Sequence, residues 1–218
     1  MTSTSNACSR RKRTCLDDGG QEKTDGCYHK EGRLRPLISF CLLLSLLFLS
    51  CDGDDSIYRD YPCSFTFDTT LHPLPCQLTA ILRNSGQFVK IETTIEQGVR
   101  HVRTNRNYDN ATEDIMLRNA MEQQWRYALG ANNCIIVGVS SYDDHLLVAY
   151  EGQCPNCLTD LGGTRYPLMW ANNGLHLNCA KCGRSYDVNN GVVAAGKAGK
   201  ALFRYQAAFD GAILRVWN

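Results

Sequence analysis

From Cys63 onward the chain runs in short alternating or apolar stretches broken by Gly, Asn and Asp, the pattern of an all-β domain with tight turns. Cys63-Ser64-Phe65-Thr66-Phe67 alternates in strand fashion, and Leu78 to Leu82 and Phe88 to Ile91 read as further strands. One helix is predicted, starting near Thr112-Glu113-Asp114, where a capping residue precedes acidic first-turn positions, and running through Met116, Ala120 and Trp125 toward Gly130. Downstream, Cys134 to Val139, Leu146 to Tyr150, Leu175 to Leu177, Tyr186 to Val188, Phe203 to Ala207 and Ile213 to Val216 read as six short strands. Turn signals separate them at Asp143-Asp144, Gly162-Gly163, Asn172-Asn173-Gly174, Asn189-Asn190-Gly191 and Asp210-Gly211.

The first 50 residues break this pattern. Leu37 to Leu49 is an almost unbroken apolar run of 13 residues behind Lys30, Arg33 and Arg35, the basic-then-apolar order of a secretory signal. It is shorter than the roughly 20 apolar residues that cross a bilayer. The run ends Leu47-Phe48-Leu49-Ser50-Cys51, which resembles a lipobox, with Phe48 departing from the usual Leu. That resemblance implies cleavage before Cys51, lipidation of its sulfur and a membrane anchor; the alternatives are a plain secretory signal or a buried apolar helix. Asp52-Gly53-Asp54-Asp55 is similar to surface-export tags of some Gram-negative lipoproteins, or else is a solvated tether. The expected location is the cell envelope, as an outer-membrane lipoprotein on the periplasmic or surface face. Residues 1–29, polar and rich in charge and Cys, read as an overextended gene start. The expected organisation is a leader and signal at 1–50, a tether at 51–62, and one domain at 63–218, with an N-terminal elaboration (63–130) packed on a core (131–218).

Charge excludes one class of partner. The chain has 23 Lys+Arg and 22 Asp+Glu, of which 8 and 5 fall in the first 50 residues, leaving 15 − 17 = −2. Such a balance gives no electrostatic reason for a nucleic-acid partner. No Ser/His/Asp set, paired carboxylate or phosphate loop points to hydrolysis or nucleotide chemistry, so an enzyme is not expected.

The chemistry lies in the cysteines, 12 in all. Cys154-Pro155-Asn156-Cys157 and Cys179-Ala180-Lys181-Cys182-Gly183 form two C-x2-C pairs separated by 21 residues. Two tight turns, each placing two thiolates on one side, complete a tetrahedron around a metal. Two disulfides in an exported protein, or a thioredoxin-like redox pair, are the competing readings. His176 lies three residues before Cys179 but is flanked by Leu175 and Leu177 in an alternating strand, so it is expected to face outward rather than ligate. Cys63 and Cys76 pair in a disulfide or sit apart in the core; Cys134 reads as a buried small hydrophobe.

The segment Cys179-Ala180-Lys181-Cys182-Gly183-Arg184-Ser185-Tyr186-Asp187 resembles the second cluster loop of the Rieske family, C-x-x-H-G-x-x-[FY]-D, with Cys182 where that family has His. Gly191, Leu202, Tyr205, Asp210-Gly211, Ile213 and Val216 follow in the order of the Rieske tail, so the likeness covers about residues 131–218. The first loop departs further, since the family's C-x-H is replaced by Cys154 and Cys157. The resemblance implies a Rieske-like small β sandwich or barrel with a four-cysteine subdomain, in which Tyr166-Pro167-Leu168-Met169-Trp170 covers the centre as a loop. Four thiolates without His imply a low-potential [2Fe-2S] cluster, a rubredoxin-like single iron, or structural Zn²⁺. Threading unfolded through a membrane favours Zn²⁺ captured afterwards; the family likeness favours iron–sulfur chemistry. The expected function is accordingly a lipid-anchored, non-catalytic, metal-stabilised domain, or alternatively an electron-transfer protein carrying [2Fe-2S].

Overall fold

A computed structural model describes residues 57–142 and 146–218, all within one compact unit, Gly53–Asn218. The apolar run, Cys51 and the acidic Asp52-Gly53-Asp54-Asp55 lie outside the described residues, as does the Asp143-Asp144 turn with His145. Among the described residues, thirteen strands, β1 to β13, form two antiparallel sheets, which bears out the all-β class.

The larger sheet has the order β4-β3-β2-β6-β7-β12-β13-β1-β5. β1 (Cys63–Asp68) turns Cys63, Phe65 and Phe67 inward, as its alternation predicts. It pairs with β13 (Ile213–Trp217) and with β5 (Ala128–Leu129). β2 (Phe88–Glu96) extends well beyond the predicted stretch and turns into β3 (Val99–Arg106), a strand the sequence reading had not drawn. Glu96 sits opposite Val99, so the hairpin closes on two residues, Gln97 and Gly98, with φ of 50° and 78°. Both positive φ values belong to the type I′ geometry that matches strand twist.

Two predicted elements are corrected. The helix expected from Thr112 is instead β4 (Thr112–Leu117), paired along β3, followed by a single helical turn, α2 (Ala120–Gln124). Period-two burial of Ile115 and Leu117 outweighs the capping signal, and the true cap is Asn119, whose side chain accepts a hydrogen bond from Met121 N at 2.9 Å. The strand expected at Leu78 to Leu82 is α1 (Gln77–Ile81), because Leu78 and Ile81, one helical turn apart, are both fully buried.

β6 (Cys134–Val139) pairs with β2 and with β7 (Leu147–Glu151), so residues 63–130 and 131–218 share this one sheet. Its unbroken apolar run has a tertiary cause. Ile135 and Val137 enter a core with Phe65, Phe67 and Ile91, whereas Ile136 joins a second core on the opposite face. The first core draws on strands from both halves of the sheet, which wraps around it. Ile57 to Tyr61, expected as part of the tether, lies against β12 (Arg204–Phe209): Tyr58 N donates to Arg204 O at 2.9 Å and its ring stacks on Phe203 at 3.6 Å.

The second core joins the large sheet to the small one, whose order is β11-β10-β9-β8. β8 is Leu168–Ala171, β9 His176–Cys179, β10 Ser185–Asp187 and β11 Val193–Ala195. Phe88, Ile136, Val148 and Tyr150 of the large sheet meet Leu168, Leu177, Tyr186 and Val188 of the small one. Cys154, Cys157 and Cys179 are members of the same cluster. The stretch expected as a covering loop is therefore half strand, with Leu168 opposite Cys179 in the β8–β9 pair.

Candidate metal centre

β7 delivers the chain to the first cysteine pair. Past Glu151 the backbone continues through Gly152 and Gln153, and Cys154 N donates to Tyr166 O at 2.8 Å. Cys154 is then the N-cap residue of α3 (Pro155–Leu161), with Leu158 N bonding Cys154 O at 3.0 Å. The first pair was expected on a tight hairpin turn and sits instead on the opening turn of a helix. Pro155 explains this, since its fixed φ and missing N–H suit the first helical position. A helical turn from Cys154 to Cys157 still brings both sulfurs to one side.

The second pair is a knuckle as expected. Cys179 ends β9, Gly183 N returns to Cys179 O at 2.9 Å, and Cys179 N donates to Arg184 O at 2.9 Å. Gly183 has φ 71°, a conformation that strains any residue with a Cβ.

All four predicted residues converge. The Sγ atoms of Cys154, Cys157, Cys179 and Cys182 lie within 4.8 Å of one another. Cys154 and Cys182 approach to 3.6 Å and Cys157 and Cys179 to 3.7 Å. Four sulfurs about 2.3 Å from one ion at tetrahedral angles stand roughly 3.8 Å apart. Three of the cysteines are buried and Cys182 is partly exposed. These groups can hold a metal ion, and no disulfide joins them.

The surroundings treat the sulfurs unequally. Burial pushes the Cys154 thiol up, opposed by hydrogen bonds from the Tyr186 hydroxyl and the Cys157 N–H. Burial also raises Cys157, and the neighbouring thiols add to it. Burial acts on Cys182 in the same direction, yet the Arg184 N–H and guanidinium outweigh it and hold this thiol at about 6. Cys182 is thus the sulfur most ready to bind a metal as thiolate, and a divalent ion would displace protons from Cys154 and Cys157.

A buried network orients the ligands. Tyr186 OH lies 3.2 Å from Cys154 Sγ and accepts a hydrogen bond from Asn156 Nδ2 at 2.9 Å. Asn156 also donates to Lys200 O and accepts from Lys200 N, both at 2.9 Å. Arg184 Nε and Nη2 donate to the carbonyls of Lys197 and Ala198 at 2.9 and 3.2 Å. The 197–200 loop is thereby tied to both cysteine segments. Loss of such partners typically costs about 10- to 100-fold in metal affinity. Tyr186 falls on the aromatic position of the matched loop, whereas the roles of Asn156, Arg184 and Lys200 leave no local sequence signal, because they depend on a loop that returns from far along the chain.

The other candidates lie elsewhere. His176 is outside the quartet, its Nδ1 3.2 Å from Ser185 Oγ. Cys63 and Cys76 are buried and free rather than disulfide-bonded. Cys134 is buried, and burial pushes its thiol up to about 12. Among the described residues no helix is long and apolar enough to cross a membrane. Comparison with family models, with characterised proteins and with solved structures gives no match.

Proposed function

We propose that this chain is an envelope lipoprotein, anchored through Cys51, whose Rieske-like domain holds one Zn²⁺ ion on Cys154, Cys157, Cys179 and Cys182 for stability rather than catalysis. The observation that carries the reading is the mutual approach of all four sulfurs to within 4.8 Å. That spacing favours a single ion. In a [2Fe-2S] cluster each iron takes two thiolates, and the second iron with its bridging sulfides forces the two thiolate pairs apart. Zn²⁺ suits a closed four-thiolate shell, with no position left open for substrate.

A structural role is supported by the place of the quartet in the fold. Three of its cysteines belong to the core that joins the small sheet to the large one, so the ion would tie the cysteine segments into that core. The basic-then-apolar leader and Cys51 support the anchor.

Metal analysis of protein purified from its own host, together with its absorbance spectrum, tests this. One zinc per chain and no visible bands are expected. Visible bands that bleach on reduction would establish the electron-transfer alternative, and unmetallated, disulfide-linked cysteines would overturn both. Incorporation of labelled fatty acid, lost in Cys51→Ala, tests the anchor.

A further inference from the structure

The face of β2, β3 and β4 turned away from the wrapped core bears charge where apolar residues would be expected. In register across the strands stand Cys134, Glu92, Arg103 and Asp114, and beside them Lys90, Asn105 and Thr112. Gln153, Pro167 and Met169 face this floor, and together they line a half-open cavity of about 520 Å³. That volume lies within the range of small-molecule sites.

Some of the charges are already partnered. Arg103 pairs with Glu96, and Asp114 lies 3.0 Å from His101 Nδ1. Lys90 and Glu92 are different: neither has an ion pair among the described residues. Lys90 Nζ rests 3.9 Å from Met169 Sδ and 5.3 Å from the centre of the Trp170 ring. Burial lowers its pKa, which an anionic partner would reverse. Gln153 is 1% exposed; its Oε1 accepts from Tyr166 N at 2.7 Å, while its Nε2 has no hydrogen bond among the described residues.

We propose that this cavity binds a small zwitterion of the amino-acid or dipeptide class with an apolar side chain. The ligand carboxylate meets Lys90 and the Gln153 amide N–H, its ammonium meets Glu92, and its side chain lies on Pro167 and Met169. The floor excludes other classes by its charge. A polyanion such as a nucleotide would face Glu92 and Asp114, and a simple cation would face Lys90. Leu168 pairs with Cys179 and Gln153 precedes Cys154, so the ligand would abut the metal centre, yet the proposal does not depend on which metal is there.

The test is titration of the purified full chain with leucyl-leucine, hexanoate and hexylamine, read by calorimetry and by emission from Trp170 beside Lys90. Saturable binding of leucyl-leucine is expected, with hexanoate and hexylamine each at least about tenfold weaker. Lys90→Met and Glu92→Gln should each weaken leucyl-leucine about tenfold while unfolding at the wild-type temperature. Absence of saturable leucyl-leucine binding, wild-type affinity in Lys90→Met, or hexanoate binding as tightly as leucyl-leucine would each overturn the assignment.

Discussion

Asn156→Ala isolates the network around the cysteines without touching a ligand. The side chain is 5% exposed and makes three hydrogen bonds of 2.9 Å, to Tyr186 OH, to Lys200 O and from Lys200 N. At about 1 kcal/mol net for each, the substitution should destabilise the protein by about 3 kcal/mol. Urea unfolding of the metal-loaded protein measures this as a lower midpoint at unchanged slope. The loss also frees the Tyr186 hydroxyl that addresses Cys154, so metal affinity measured against a competing chelator should fall by about 10- to 100-fold. Gly199→Ala provides a companion test, because a Cβ there would overlap Asn156 Oδ1 and push the side chain from its place. Its effect should overlap that of Asn156→Ala, making the double variant less damaged than the sum. A change below 0.5 kcal/mol in Asn156→Ala, roughly the size of a surface substitution, with unaltered metal affinity would refute the idea that this side chain organises the site.

Removal of the bound metal by a strong chelator should abolish the near-ultraviolet circular dichroism of the small sheet, since a structural zinc would contribute on the order of 10 kcal/mol, comparable to whole-domain stability; an unchanged spectrum after verified metal loss would count against a structural ion. Cys157→Ser should leave metal content well below one ion per chain by mass spectrometry under native conditions. Phe88, fully buried between the two sheets, should cost about 3–5 kcal/mol on truncation to Ala, read by thermal or urea unfolding. Asp210 is held at about 2 by the N–H groups of Ile213 and Ala212 and then by Arg215. A depressed carboxylate stabilises the folded state above its unfolded value of 3.8 and loses that contribution as pH falls toward 2. Asp210→Asn should therefore be the less stable protein at pH 6, with the gap closing between about pH 4 and pH 2.

Legibility in the sequence tracked how local each signal was. Strands β1, β12 and β13 emerge nearly where alternation and flanking turns put them, and β6 where an apolar run between turns puts it, because those patterns are written into a few adjacent residues. The ambiguous elements were those whose state is set by a neighbour. Thr112 to Leu117 carries a helix cap signal, and only pairing with Arg100 to Asn105 makes it a strand. Leu78 to Ile81 could serve as a buried strand or a buried helical turn until α1 is docked on the core. The strand β3 leaves no clear local signal because its exposed face carries Arg and Asn, and its purpose is evident only in the sheet.

By itself the chain determined that this would be an all-β protein and that two C-x2-C pairs would meet, since tight local geometry brings each pair's sulfurs to one side. Tertiary structure alone decided how closely the two pairs approach, and that the 197–200 loop returns through Asn156 and Arg184 to orient them. It also decided that a charged strand face becomes the floor of a cavity. Those outcomes depend on contacts between residues far apart in the chain, whose cost in chain entropy is met by the two cores and leaves no periodic mark in the sequence.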